Sequence, residues 1–231
     1  IHGKSGVATS QTFAGLAIGA GASKISLTQA GGGTAGLTIT GAVAPNGSIR
    51  GTVQFSTIGT TTLSGNLTSA LLTNAQGNPY ATFGTDNWAG TSGGVVQAVT
   101  YTNAATSFTA GVNNTVTGSF STTSALDLSS LRFADPTGRT VTYNTNTLTA
   151  RGILVASTAG ASVISGSGFI RPARVNTAGP YDFNIIQNSA NDLTLGLNIA
   201  NASSTTTAVV KSGSGKLNLT VASGYSGGTF I

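Results

Sequence analysis

The 231 residues contain no cysteine, no methionine and no glutamate, with a single histidine and a single tryptophan. Without cysteine there are no disulfides, no thiolate nucleophile and no zinc–thiolate site. Without methionine there is no initiator, so the chain is expected to be processed or to be an excerpt of a longer one. The opening Ile1-His2-Gly3-Lys4 does not read as a signal peptide. No apolar run reaches the 18 or so residues that a membrane span needs, so no membrane-spanning segment is expected. Charge is scarce: Asp, Glu, Lys and Arg make up 6% of the chain, against roughly 25% in an ordinary soluble domain. The net charge of +5 reflects a shortage of acids, there being five. The ten basic residues are scattered from Lys4 to Lys216, with Arg171 and Arg174 the one tight pair. Nucleic-acid binding needs clustered cations, so no nucleic-acid partner is expected.

What is present is β-forming. Hydrophobic residues are 39% of the chain, too many for a disordered segment. Apolar residues recur at every second position: Leu193, Leu195, Leu197 and Ile199 face one way, with Thr194, Gly196 and Asn198 opposite. Leu217, Leu219 and Val221 repeat this, as do Ile25/Leu27, Leu37/Ile39, Val53/Phe55, Val99/Tyr101 and Val141/Tyr143. Such alternation predicts half-buried strands. Clusters such as QAGGGTAG, APNGS, NAQGNP and STAGAS punctuate them with residues that tolerate positive φ. No helix longer than a turn or two is expected; Leu67–Ala75 is the one weak candidate, its Thr and Asn being poor helix formers. The fold class is therefore all-β, and two architectures compete. A sandwich or jelly roll would pair its strands over long range. A right-handed parallel β-helix would stack short strands rung upon rung. Low charge, the Asn/Thr/Ser/Gly corners and weak self-similarity favour the solenoid, as one domain over 1–231. At roughly 20–25 residues per rung it would hold about 8–10 rungs, a rod about 40–45 Å long at the ~4.8 Å strand spacing.

Catalytic constellations are thin. Glycoside hydrolysis needs two carboxylates about 5–10 Å apart; the acids are Asp86, Asp127, Asp135, Asp182 and Asp192. Asp182 and Asp192 flank adjacent strands and are the pair that could neighbour Arg171 or Arg174, but strand-end Asp residues ordinarily cap backbone amides. His2 lies at the terminus, and no Asp ladder of the calcium-binding glycine-rich type occurs. No metal, cofactor or catalytic residue is assigned. Gly31–Gly36 fits G-x-G-x-x-G, yet the LTIT after it is a strand, where the dinucleotide motif requires a helix; it reads as a turn. Gly215-Lys216 lacks the rest of a phosphate loop. Trp88, with Tyr80, Phe83 and Tyr101 near it in sequence, is either a core plug or part of a sugar-stacking face. The residues nominated for ligand or surface contact are Trp88, Tyr80, Arg171 and Arg174. Sequons at Asn46, Asn66, Asn113, Asn201 and Asn218 are what a Thr- and Asn-rich composition produces by chance.

Lys211-Ser212-Gly213-Ser214-Gly215-Lys216-Leu217-Asn218-Leu219, followed by Tyr225-Ser226-Gly227-Gly228-Thr229, resembles the autotransporter-associated β-strand repeat (passenger-associated transport repeat). Residues 209–231 are the best-matching unit, with Gly213, Gly215, Tyr225, Gly227 and Gly228 at its corners. Upstream, YATFGTDNWAG, the stretch Ser129–Ser157, ISGSGF and NDLTLGLNIAN are similar to the irregular section preceding that repeat in very large planctomycete and verrucomicrobial surface proteins. The likeness covers about Leu72–Ile231, with a fainter echo from Ile25. Ile170–Phe183 departs from the family pattern and has no assigned role. The resemblance implies a β-solenoid on an exported, extracellular polypeptide, adhesive or structural and without enzymatic activity. Three functions follow as expectations: a segment of a surface fibre, filament or adhesin; a carbohydrate- or surface-binding module; and, least favoured, a polysaccharide-active enzyme. Open strand edges imply head-to-tail self-association. With no polar cap at Ile231, either more chain or another copy is expected to follow.

Overall fold

Alternating aliphatic and small polar residues give strands along the whole chain. The computed structural model, which describes residues 1–41, 43–45, 50–64, 68–69, 71–172, 180–203 and 205–231, is all-β, with no helix among them. The chain packs as two compact units: Ile1–Asn74 with Tyr80–Val99, and Ala75–Pro79 with Thr100–Ile231.

The first unit holds β1 (Ala8–Phe13), β2 (Leu16–Ile18), β3 (Gly21–Ile25), β4 (Thr34–Ile39), β5 (Val43–Pro45), β6 (Gly51–Phe55), β7 (Thr60–Leu63), β8 (Thr68–Ser69), β9 (Ala81–Phe83), β10 (Asn87–Ser92) and β11 (Val95–Ala98). Parallel pairing links β1, β4 and β7, so that Gln11, Leu37 and Thr61 align. It also links β3, β6 and β9 through Ile25, Phe55 and Phe83, and β2 with β5. An antiparallel hairpin then joins the two longer stacks into one nine-stranded sheet: β11 adds to β7, β10 adds to β9, and β8 adds to β10. Leu37, Ile39, Val53, Phe55, Leu63 and Tyr80 form the core of this unit. The opposite face of its first stack carries a column of threonines, Thr12, Thr38 and Thr62. Parallel strands repeat one residue above another, so a single favourable side chain is reused at each level.

The second unit holds β12 (Thr102–Ala104), β13 (Asn113–Val116), β14 (Phe120–Thr122), β15 (Leu126–Leu128), β16 (Ser130–Phe133), β17 (Arg139–Tyr143), β18 (Thr147–Ala150), β19 (Gly152–Val155), β20 (Ser162–Arg171), β21 (Tyr181–Gln187), β22 (Leu193–Ile199), β23 (Thr207–Ser212), β24 (Leu217–Leu219) and β25 (Thr229–Phe230). Two seven-stranded sheets result. One runs β12-β13-β16-β19-β21-β23-β25; the other runs β14-β17-β20-β18-β15, with β22 on β20 and β24 on β22. Every pairing between described strands of this unit is parallel. Partners lie one level apart: Val209 aligns with Thr229, 20 residues on, and Ile153 with Ile185, 32 on. The ten-residue β20 is bent. Its first half pairs with β17 and its last three residues with β18, with a bulge between Ser165 and Phe169 on β22. Leu131, Phe133, Ile153, Val155, Phe183, Ile185 and Val209 from one sheet pack against Val141, Tyr143, Ile164, Leu195, Leu148, Ile170 and Ile199 from the other. Each such side chain contributes about 1.5–3 kcal/mol on burial.

The two sheets differ in how their residues read. β22 alternates cleanly, its leucines buried and Thr194, Gly196 and Asn198 half-exposed. The strands β19, β21 and β23 do not alternate: Ile153-Leu154-Val155, Ile185-Ile186 and Val209-Val210 are buried on both sides. Continuous apolar runs are what a parallel sheet with two dry faces requires. Asn184 lies on the side of β21 away from Phe183 and Ile185, and its Nδ2 donates to the carbonyl of Pro79 at 2.7 Å. Ala75–Pro79 thus returns, from far back in the chain, to help cover that outer face.

Two local expectations are corrected. The segment 67–75 is not helical where it is described: Thr68 and Ser69 pair with Ser92 and Thr91, and the weak helix propensity of Thr and Ser yields to an available strand edge. Val99 and Tyr101 lie outside the strands, between β11 and β12.

Candidate functional site

Trp88 and Tyr80 lie in the interior. Trp88 is 0% and Tyr80 1% exposed. The Tyr80 hydroxyl donates to the carbonyl of Val43 at 3.1 Å, and burial pushes its pKa up to about 12. Neither ring is available to a sugar, and the core-plug reading of Trp88 is the one the burial supports. Arg174 lies outside the described residues. Arg171 is half-buried at the end of β20, and no hydrogen bond or ion pair of its side chain occurs among the described residues.

The aspartates are placed singly. Asp135 closes a turn, accepting from the Thr137 amide and hydroxyl and from Arg139 Nη2 at 2.6 Å; these bonds hold its carboxyl below the ordinary carboxylate range. Asp192 accepts from Asn218 at 2.8 Å and from Lys216 at 3.2 Å, again lowering its pKa. Asp182 is buried on β21 and aligned with Ala208. Asp182 and Arg171 therefore belong to different sheets, and Asp192 is engaged one level away with Lys216, so the two acids do not converge on Arg171. Asp127 is pushed up by burial, with the charge of Arg151 pulling the other way. No group of three or more His, Cys, Asp or Glu that could hold a metal occurs among the described residues. No helix among them is long and apolar enough to cross a membrane.

The polar side chains that are well built are architectural. Gln187, fully buried, donates to the carbonyls of Asn191 (2.6 Å) and Lys216 (3.3 Å) and accepts from the Ser189 amide. Ser189 and Asn191 both donate to the carbonyl of Ala159, one level back. Asn201 bonds forward to Ser226, and Asn198 to Ala222. Three sequons fall on such positions: the amide nitrogens of Asn113, Asn201 and Asn218 donate to Thr100, Ser226 and Asp192. Those amides are occupied by the fold. Asn46 and Asn66 lie outside the described residues.

Of the residues nominated from the repeat, Gly213 and Gly215 lie between β23 and β24, and Tyr225, Gly227 and Gly228 between β24 and β25. Gly213 has φ of +79°, and a Cβ there would lie 2.3 Å from the Gln187 carbonyl. A Cβ on Gly215 or Gly227 would strike the carbonyls of Ser189 and Thr207. Gly228 also has positive φ. Tyr225 packs against the core, and its hydroxyl meets the Thr229 hydroxyl at 2.6 Å. Lys211 Nζ donates to the Gly213 carbonyl, and burial lowers its pKa. Gly31 and Gly32 have positive φ and lead into β4, a turn before a strand.

One outward surface carries unspent chemistry. Ile170 is in the core, so Phe169 and Arg171 stand on the other side of β20, and Phe169 is 44% exposed. Thr147 aligns with Phe169 and Thr149 with Arg171 on the neighbouring strand. Only Arg171 of these four was singled out from sequence. The signal for the others was the Phe-Ile-Arg run after ISGSG, in which one core Ile puts its two neighbours outside. Other arginines are committed: Arg132 lies 3.9 Å over the Tyr101 ring and donates to Thr115, and Arg139 pairs with Asp135. Comparison with family models, with curated proteins and with solved structures gives no match to this chain.

Proposed function

We propose that the chain is a right-handed β-solenoid and a non-catalytic structural segment of an extracellular bacterial fibre, filament or adhesin. The observation that carries the reading is the run of parallel partners at recurring sequence intervals in both seven-stranded sheets, each strand hydrogen-bonded to the one a level before it. A chain that returns to the same face every level is a coil, and parallel crossovers are right-handed in nearly all proteins. The resemblance of Lys211–Thr229 to the autotransporter-associated repeat supports an exported location. Acids that serve turns and ladders, and corner amides spent on carbonyls, fit a scaffold. Among the described residues, strands β1, β3, β24 and β25 each pair with one strand, and a free strand edge accepts another strand. Head-to-tail contact between copies would not close on itself, and a contact that does not close gives a filament.

Electron microscopy of purified chain at increasing concentration tests this. Filaments whose unit repeat matches the monomer are expected, resistant to warm SDS because unfolding is slow. A chain that stays monomeric at high concentration and melts readily in SDS overturns the fibre reading. A binding module is the second reading, favoured by the outward Phe169–Arg171 pair.

A further inference from the structure

We propose that the outward face of β18 and β20 binds an acidic polysaccharide, with one carboxylated sugar seated on Phe169, Arg171, Thr147 and Thr149. The inference rests on the binding reading and is independent of the fibre reading.

Phe169 and Arg171 are two residues apart on one strand face, which sets them about 6.5–7 Å apart, and their partners Thr147 and Thr149 lie about 4.8 Å away on β18. The four side chains outline a patch the size of one pyranose ring. An exposed phenylalanine alone needs no explanation, but this one is held in place. Its amide donates to the carbonyl of Asn146 at 3.0 Å. The corner before it is built by Gly166, with φ of +123°, and by Gly168, where a Cβ would lie 2.5 Å from that same carbonyl. The aromatic face is thus presented by a fixed corner, the preorganisation that a weak ligand contact depends on.

Charge selects the sugar. In the row Asp127–Thr149–Arg171, the charge of Arg151 acts on Asp127, and no acid is paired with Arg171 among the described residues. A guanidinium recognises a carboxylate through two parallel N–H···O bonds. The threonine hydroxyls both donate and accept, which suits sugar hydroxyls.

Affinity electrophoresis through polygalacturonate, with dextran as the neutral control, tests the site. The wild-type chain is expected to be retarded by polygalacturonate and not by dextran. Arg171→Ala and Phe169→Ala should each weaken retention about tenfold, while Lys4→Ala, which removes the same charge from the other unit, should change it by less than about twofold. Circular dichroism melting confirms that each variant is folded, and Arg171→Lys gives a second reading should Arg171→Ala melt early: it should bind more weakly than wild type because the bidentate geometry is lost. Absence of retardation, equal retention on dextran, equal loss in Lys4→Ala, or full retention in Phe169→Ala overturns the proposal. Filament formation by Arg171→Ala should be unchanged, which separates failure of this site from failure of the fibre reading.

Discussion

Gln187 and Tyr80 show how single side chains hold these strands together. Gln187→Ala would leave the buried Ser189 amide and the part-buried Asn191 carbonyl without this partner, while the Lys216 carbonyl keeps the Leu193 amide, so a loss of about 1–3 kcal/mol is expected in urea unfolding. Asn198→Ala, on the half-exposed face of β22, should cost about 1 kcal/mol. Tyr80 makes stability depend on alkaline pH. Its folded pKa, near 12, is above its ordinary value of 10.0; the neutral folded form is favoured fully below pH 10, and the advantage is lost as pH rises toward 12. The loss amounts to roughly 2–3 kcal/mol. Burial lowers the pKa of Lys211, which works the opposite way as pH rises, so the comparison to make is wild type against Tyr80→Phe. The variant should show a flatter decline above pH 10 and a lower plateau, through loss of the bond to Val43. Asp135 and Asp192 govern the acid side. Both are held below the ordinary range, so their contribution is present above that range and disappears as pH falls through the lowered values. Asp192→Asn should flatten the acid limb of a pH–stability curve.

At the scale of the element, the readable strands were those with one wet face. Leu193–Ile199 alternates in sequence and does so in the structure. The strands β19, β21 and β23 carry no such signal, because both their faces are dry, and a period of two disappears when neither side needs to be polar. Trp88 was ambiguous for a related reason: a large aromatic suits a core and a sugar platform equally, and only its neighbours decide. Phe169 is not legible from the sequence because one exposed aromatic looks ordinary until the register places Arg171 and two threonines around it. Val99 and Tyr101 alternate without forming a strand, lying between β11 and β12 where the first unit gives way to the second. Gly213 tests the corners. Its positive φ and the Gln187 carbonyl 2.3 Å from a Cβ leave alanine no relaxed conformation, so Gly213→Ala should lower stability by more than about 1 kcal/mol, read as a shift in urea midpoint. Hydrogen exchange should rank the strands: amides of β21 and β22, flanked on both sides and buried, exchange slowest, while β1, exposed along most of its length, exchanges fastest.

Taken whole, the molecule stays folded with few charges because apolar cores in both units and backbone bonds between strands hold it; only two ion pairs occur among the described residues. Raising the salt concentration should therefore change its melting temperature little, since there is little surface electrostatics to screen. The hairpin of β10 and β11 has a further consequence. It lays antiparallel strands along the far sides of β7 and β9, and an antiparallel neighbour offers a different hydrogen-bond spacing from the one a parallel stack propagates. The first unit is thus terminated in one direction and unterminated in the other, like a polymer with one dead end and one live end. On the proposed head-to-tail reading, growth by strand addition to that unit would have a built-in polarity, and a copy lacking the hairpin would be expected to lose its sense of direction before it lost its ability to stack.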